Sequence, residues 1–229
     1  MYVLTDGDRV ARWPYSPARL RRDYPHVSFP RANPDASLAE RGVYPVTVDP
    51  EPPHDPDTQR LIRDPQPVQI GGEWRVTWQV VDKTAAEIQA DLIDAADARV
   101  REIDSLYLAT LDAGFAYDFG GRTAKLPNGL TERAGVRTLQ TRQDDREKWL
   151  ATASLMQLLP QDAPVRDFRC VDDAQIPMRA GEALQCLIAM QAHFGRALDA
   201  RWRHKDAVRA LSTIGEVRAY DITTGWPET

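Results

Sequence analysis

Twelve of the 17 prolines fall in residues 1–82, and five in the remaining 147. Proline removes a backbone donor and clashes with the preceding turn, so the first third cannot be regular helix. The spacing predicts short strands and extended pieces instead. Residues 48–57 are the densest part and predict a solvated, polyproline-like run that a partner would hold in place. Residues 45–67 as a whole are expected to be labile in the isolated chain. Short helices fit only where proline is harmless. Ser16 is a good cap with Pro17 at the first helical position. Residues 38–41 make another turn, stopped by Gly42. Tyr2-Val3-Leu4 and residues 9–13 flank Asp6-Gly7-Asp8, which predicts a hairpin. Residues 66–70 and 73–80 flank Gly71-Gly72 and predict a second. Trp74, Val76, Trp78 and Val80 alternate along it as one half-buried strand.

A long helix follows. Thr84-Ala85-Ala86-Glu87 is a capping box. Apolar residues then recur at Ile88, Leu92, Ala96, Val100, Ile103, Tyr107 and Leu111, and Gly114 ends the run. The steps are 4, 4, 4, 3, 4 and 4, longer than a heptad average, so no long left-handed supercoil is expected. At 1.5 Å per residue the helix spans roughly 40 Å. One narrow stripe on so long a helix needs a cover. Either the helix packs on its own domain or it bundles with copies of itself, and the second reading is favoured. The expected self-association set is Ile88, Leu92, Val100, Ile103, Tyr107 and Leu111, with a trimer the favoured state.

The remainder reads as a compact α+β module. Residues 115–119 form an aromatic strand to which 122–126 can pair back, and Pro127-Asn128-Gly129 is a turn. Residues 136–140 form a further strand. A helix runs to about Leu159, a hairpin joins 168–170 to 176–178, and a helix covers 180–203. A short one follows over 205–211. The fold class is therefore α+β. A proline-rich β and extended region occupies 1–82, a connecting helix 83–113, and a small α+β module 114–229.

Chemistry is sparse. The net charge is −5 and the isoelectric point about 5.4, which argues against a basic nucleic-acid binder. No apolar run reaches membrane-spanning length, and no secretory leader is expected from the first residues. Cys170 and Cys186 give neither a disulfide framework nor zinc spacing, and read as small buried residues. No phosphate loop, dinucleotide fingerprint or nucleophile elbow is present. Asp144-Asp145 and Asp172-Asp173 read as solvated caps. His193 reads as a packing residue, and His26, His54 and His204 lack partners at ligand spacing. Arg19, Arg21 and Arg22 beside Tyr24 read as a solvated helix face or an interface set. No enzyme activity, metal or cofactor is expected.

A resemblance adds to this reading. Arg12-Trp13-Pro14-Tyr15-Ser16, Leu20-Arg21-Arg22-Asp23-Tyr24-Pro25 and Ser28-Phe29-Pro30 resemble the N-terminal region of many phage tail proteins. Leu38-Ala39, Gly42-Val43-Tyr44-Pro45-Val46, His54-Asp55 and the Trp74 to Trp78 strand continue the pattern. The C-terminal half resembles a domain of uncharacterised function common in tailed-phage fibre and tail-tip proteins. The matching residues there are Leu139-Gln140-Thr141-Arg142, Asp144-Asp145-Arg146, Trp149, Ile176-Pro177-Met178, Ala180, Ala183-Leu184 and 193–205. The resemblance implies a structural part of a tailed-phage virion (tail fibre, tail tip or baseplate), made in the host bacterial cytoplasm. Its partners would be itself, as a homotrimer, and other tail or fibre proteins. Docking to the tail would use Trp13, Tyr15, Leu20, Arg21, Tyr24 and Phe29. The alternatives are a non-virion fibre-assembly chaperone, or a host-receptor-binding module reading glycans through Trp74, Trp78, Tyr117 or Trp226. No catalytic residue carries over.

Overall fold

The computed structural model describes residues 1–26 and 34–228. It has two compact units, Met1–Ala90 and Asp91–Thr229, and each combines helices with sheet.

The first unit holds β1 (Tyr2–Asp6), β2 (Arg9–Tyr15), α1 (Pro17–Asp23), α2 (Pro34–Ala39), β3 (Val43–Val48), β4 (Gln59–Arg63), β5 (Val68–Ile70), β6 (Glu73–Val76) and β7 (Trp78–Asp82). Five strands form one sheet in the order β2-β1-β3-β6-β5, with β3 and β6 parallel. Strand alternation sorts its side chains between two cores. Val3, Val46, Trp74 and Val76 pack on one face, with Tyr44 and Trp13 against them. Tyr15 and Val43 pack on the other with Leu20 of α1 and Leu38 of α2. Pro14 lies in the edge strand β2, where a missing donor is tolerated. Ser16 caps α1, its hydroxyl accepting from the Arg19 backbone N–H at 3.2 Å.

Two expectations change here. The alternating run 73–80 is two strands. At Thr77 the hydroxyl donates to the Asp64 carboxylate, and the carbonyl accepts from the Asp64 N–H at 3.0 Å. The chain therefore leaves the large sheet and pairs with β4 instead. Segment 45–67 is also more ordered than its prolines suggest, because it contains most of β3 and all of β4. Pro50, Pro52, Pro53 and Pro56 fall between those strands, and Pro65 and Pro67 fall between β4 and β5. Only Pro45 enters a ladder.

Helix α3 (Ala85–Asp112) begins in the first unit, where Glu87 meets Arg60 at 2.7 Å, and continues into the second. Its capping box forms: the Thr84 N–H donates to Glu87 Oε2 at 2.8 Å, and the Glu87 N–H to Thr84 Oγ1 at 3.2 Å. It is not a free-standing connector, because residues from Leu92 onward are built into the second unit's core.

The second unit continues with β8 (Phe115–Asp118), β9 (Thr123–Lys125), β10 (Thr131–Arg133), β11 (Val136–Leu139), α4 (Gln143–Met156), β12 (Phe168–Arg169), β13 (Gln175–Ile176), α5 (Ala180–Arg209) and α6 (Ile214–Ala219). β8 pairs with β11, not with 122–126 as expected, while β9 joins a four-stranded sheet ordered β10-β9-β13-β12. Phe115, Phe119, Leu139, Phe168, Ile176, Leu187 and Met190 bury together beneath α4 and α5. The segments expected as two helices over 180–203 and 205–211 are one, because nothing at His204 interrupts the backbone ladder. α6 was not anticipated, although its Thr213-Ile214-Gly215-Glu216 capping box is legible in the sequence.

Candidate functional site

The apolar stripe of α3 is covered in part by its own chain, with Ile103 and Leu111 buried and the other positions half-buried. Ile103 is fully buried with Val208 of α5, Val217 of α6 and Ile222 of the following tail. Leu92, Ala96 and Val100 pack against the same cluster, and Leu111 is buried too. Tyr107 lies under the Arg201 guanidinium, 5.0 Å from its ring centre. Ile88, in the first unit, is half-buried. Of the positions expected to face copies of the chain, Leu92, Val100, Ile103 and Tyr107 thus meet residues 201–226 of their own chain instead. The periodicity of α3 does not show α6 or the tail, which supply the cover.

A polar lock holds that cover. His204 is 3% exposed. Its Nε2 lies 2.9 Å from the Thr224 carbonyl, which can only accept, so Nε2 donates. Its Nδ1 meets the Tyr220 hydroxyl at 3.0 Å, and Trp226 stacks on the ring at 5.5 Å. Arg203 donates to the Gly225 carbonyl at 3.0 Å, and Arg99 to the Tyr220 carbonyl. Asp104 accepts from Arg201 and from the buried Lys205, each at 2.6 Å. Burial pushes the Asp104 carboxyl upward, but the two cationic donors outweigh it and hold its pKa below the usual value.

The six residues expected to dock onto a tail divide. Tyr15 and Leu20 are core, at 1% and 6% exposed, and are unavailable to a partner. The Tyr15 hydroxyl donates to Asp23 at 2.7 Å, and burial followed by that bond raises its pKa to about 12. Arg21 is exposed on α1, while Trp13 and Tyr24 are half-buried. Phe29 lies outside the described residues. The set is therefore not one surface: part of it is the sheet's own interior.

The groups with chemical potential are quiet. Burial raises Cys170 to about 11 and Cys186 to about 12, so neither is a ready thiolate. Burial lowers the pKa of His193, whose Nε2 has no partner among the described residues. No group of three or more His, Cys, Asp or Glu side chains converges among the described residues, and no helix there is long and apolar enough to cross a membrane. The second unit also exposes apolar residues on α5. Ile188, Leu198 and Trp202 of α5 are 60%, 37% and 51% exposed. With Gln191 and Gly195 they form a strip with steps of 3 and 4, on the side of α5 away from the core.

The family described as a domain of unknown function, DUF4376, matches residues 94–224, more than half of the chain. The chain belongs to this family. The DUF4376 region takes in most of α3, all of α4, α5 and α6, and the strands between them, so it is the second unit less its outermost residues. No curated protein matches the chain, and no solved structure does.

Proposed function

We propose that the chain is a non-enzymatic structural component of a tailed-phage virion, acting by protein–protein docking and self-association. The observation that carries this reading is the α5 strip, Ile188, Leu198 and Trp202, exposed on a helix whose opposite face is fixed in the core. A helix strip whose positions step by 3 and 4, apolar at Ile188, Leu198 and Trp202, suits docking against another helix. The resemblance of residues 12–30 and of the C-terminal half to phage tail proteins supplies the setting. Since α3 is covered in cis, the homotrimer would use α5.

The test pairs the free protein with the particle. Wild type should sediment as a trimer at tens of micromolar, and Trp202→Glu should sediment as a folded monomer. Mass spectrometry of purified particles should find the chain at a copy number divisible by three. A monomeric wild type that is absent from particles overturns the proposal. Loss of fibres from particles lacking the gene would then favour the assembly-chaperone reading.

A further inference from the structure

The edge of the five-stranded sheet and the β4–β7 ribbon border an open cleft of about 340 Å³, lined by Met1, Trp13, Pro14, Arg63, Asp64 and Pro65. That volume is at the small end for ligand pockets, enough for one ring. Met1, Pro14, Pro65 and the half-buried Trp13 give it apolar walls. Three polar groups share the lining. The Trp13 indole N–H and the Arg63 guanidinium have no hydrogen-bond or ion-pair partner among the described residues. Asp64 is fixed in place, because Thr77 donates to one carboxylate oxygen and Gln79 to the other at 2.5 Å. Each of those oxygens retains acceptor capacity.

This set selects a chemistry. The side-chain charges of Arg63 and Asp64 cancel, and Met1 adds its ammonium, so the cleft carries no net negative charge and is not a cation site. It offers two free side-chain donors and a fixed acceptor beside apolar walls. A hydroxyl group donates and accepts at once and matches such a mixture. The ligand class that combines several hydroxyls with an apolar C–H face, in the volume of one ring, is a pyranose. We propose that this cleft binds a single hexopyranose residue, its C–H face against Trp13 and the prolines and its hydroxyls on Arg63 and Asp64. The proposal does not rest on the virion reading, and neither outcome there decides it.

The experiment uses the full chain, labelled with nitrogen-15, titrated with the methyl glycosides of glucose, galactose and mannose. The Trp13 indole resonance is assigned by its loss in Trp13→Phe. At least one glycoside should shift that resonance, with an affinity on the order of millimolar for so small a ligand. Arg63→Gln, at an exposed position, should weaken binding about tenfold or more through the loss of charged hydrogen bonds, with the circular dichroism spectrum unchanged. Trp13→Phe should weaken saturation transfer to the same sugar. Asp64→Asn should weaken it as well, and it keeps the test decisive where Trp13→Phe perturbs the sheet. The proposal is overturned if no glycoside shifts the indole signal, or if an acyclic polyol such as sorbitol shifts it equally. Unchanged affinity in Arg63→Gln overturns it as well. Binding of a proline-rich peptide in place of any sugar would make the cleft a peptide site and would equally end the sugar assignment.

Discussion

His193 carries an imbalance that nothing nearby relieves. It is 2% exposed, its ring centre lies 5.4 Å from that of Phe115 and 6.1 Å from that of Phe194, and its Nε2 has no partner among the described residues. Burial, with Arg196 adding to it, lowers its pKa from the ordinary 6.5. The unfolded chain therefore binds this proton more readily than the native one. Stability should be level above about pH 6.5 and should fall as pH drops below it toward the lowered native value. His193→Leu removes both the titration and the orphan nitrogen. The expected result is a gain of about 1 kcal/mol at neutral pH and a smaller loss between pH 7.5 and pH 5, read by thermal melts. A steeper acid loss in the variant would refute the assignment. Gly114 gives the opposite case. Its φ is +103°, and a Cβ there would meet the Thr138 methyl and sit 2.8 Å from the Leu139 carbonyl oxygen. Gly114→Ala should cost about 3 kcal/mol or more, combining a strained backbone with a clash. Gly7→Ala, at φ +59° with open space around it, should cost less, with both variants read by urea titration. The sequence showed Gly114 as a helix stop. It could not show the close approach of β11, which depends on a strand more than 20 residues later.

At the scale of elements, local signals were legible wherever they were local. The capping box of α3, the Ser16 cap and the Gly71-Gly72 turn each depend on a few neighbouring residues, and each forms as expected. Partner choice was not legible. The aromatic strand 115–118 could pair with either of two following segments, and sequence proximity favours the one it does not choose. The α3 stripe posed the same problem at larger scale, since periodicity announces that a face is buried without naming what buries it. Ile103→Asp now separates the two covers. Packed against Val208, Val217 and Ile222, an aspartate would sit buried without a partner. The variant should therefore lose several kcal/mol of monomer stability, visible as a lowered melting temperature. A seam shared between chains would instead give a stable module that no longer assembles. Sedimentation beside circular dichroism distinguishes them, and unchanged melting would show that the in-chain cover is not what buries Ile103.

At the scale of the molecule, the limits of the family match and the limits of packing differ. The match spans 94–224, but the second unit's core reaches beyond it at both ends. Leu92 packs against the Ile103 cluster, and α3 is capped at Thr84. At the other end Trp226 stacks on His204 and donates to the Ile222 carbonyl at 2.7 Å, while Gly225 accepts from Arg203. A fragment of residues 84–229 keeps all of these and gives up the exposed Arg60–Glu87 pair, which is worth little. A fragment of residues 94–224 loses the helix cap, Leu92 and the stacked indole, and opens His204 to water. A cap is worth about 1 kcal/mol and a partly buried large side chain about 1–2 kcal/mol. The shorter fragment should be about 3–5 kcal/mol less stable, a shift of about 2 M in urea midpoint for a protein of this size. Trp226→Ala in the longer fragment should reproduce about a third of that difference. Equal midpoints for the two fragments would mean that neither the start of α3 nor residues 225–229 stabilise the fold, and that the Trp226 stack on His204 contributes nothing.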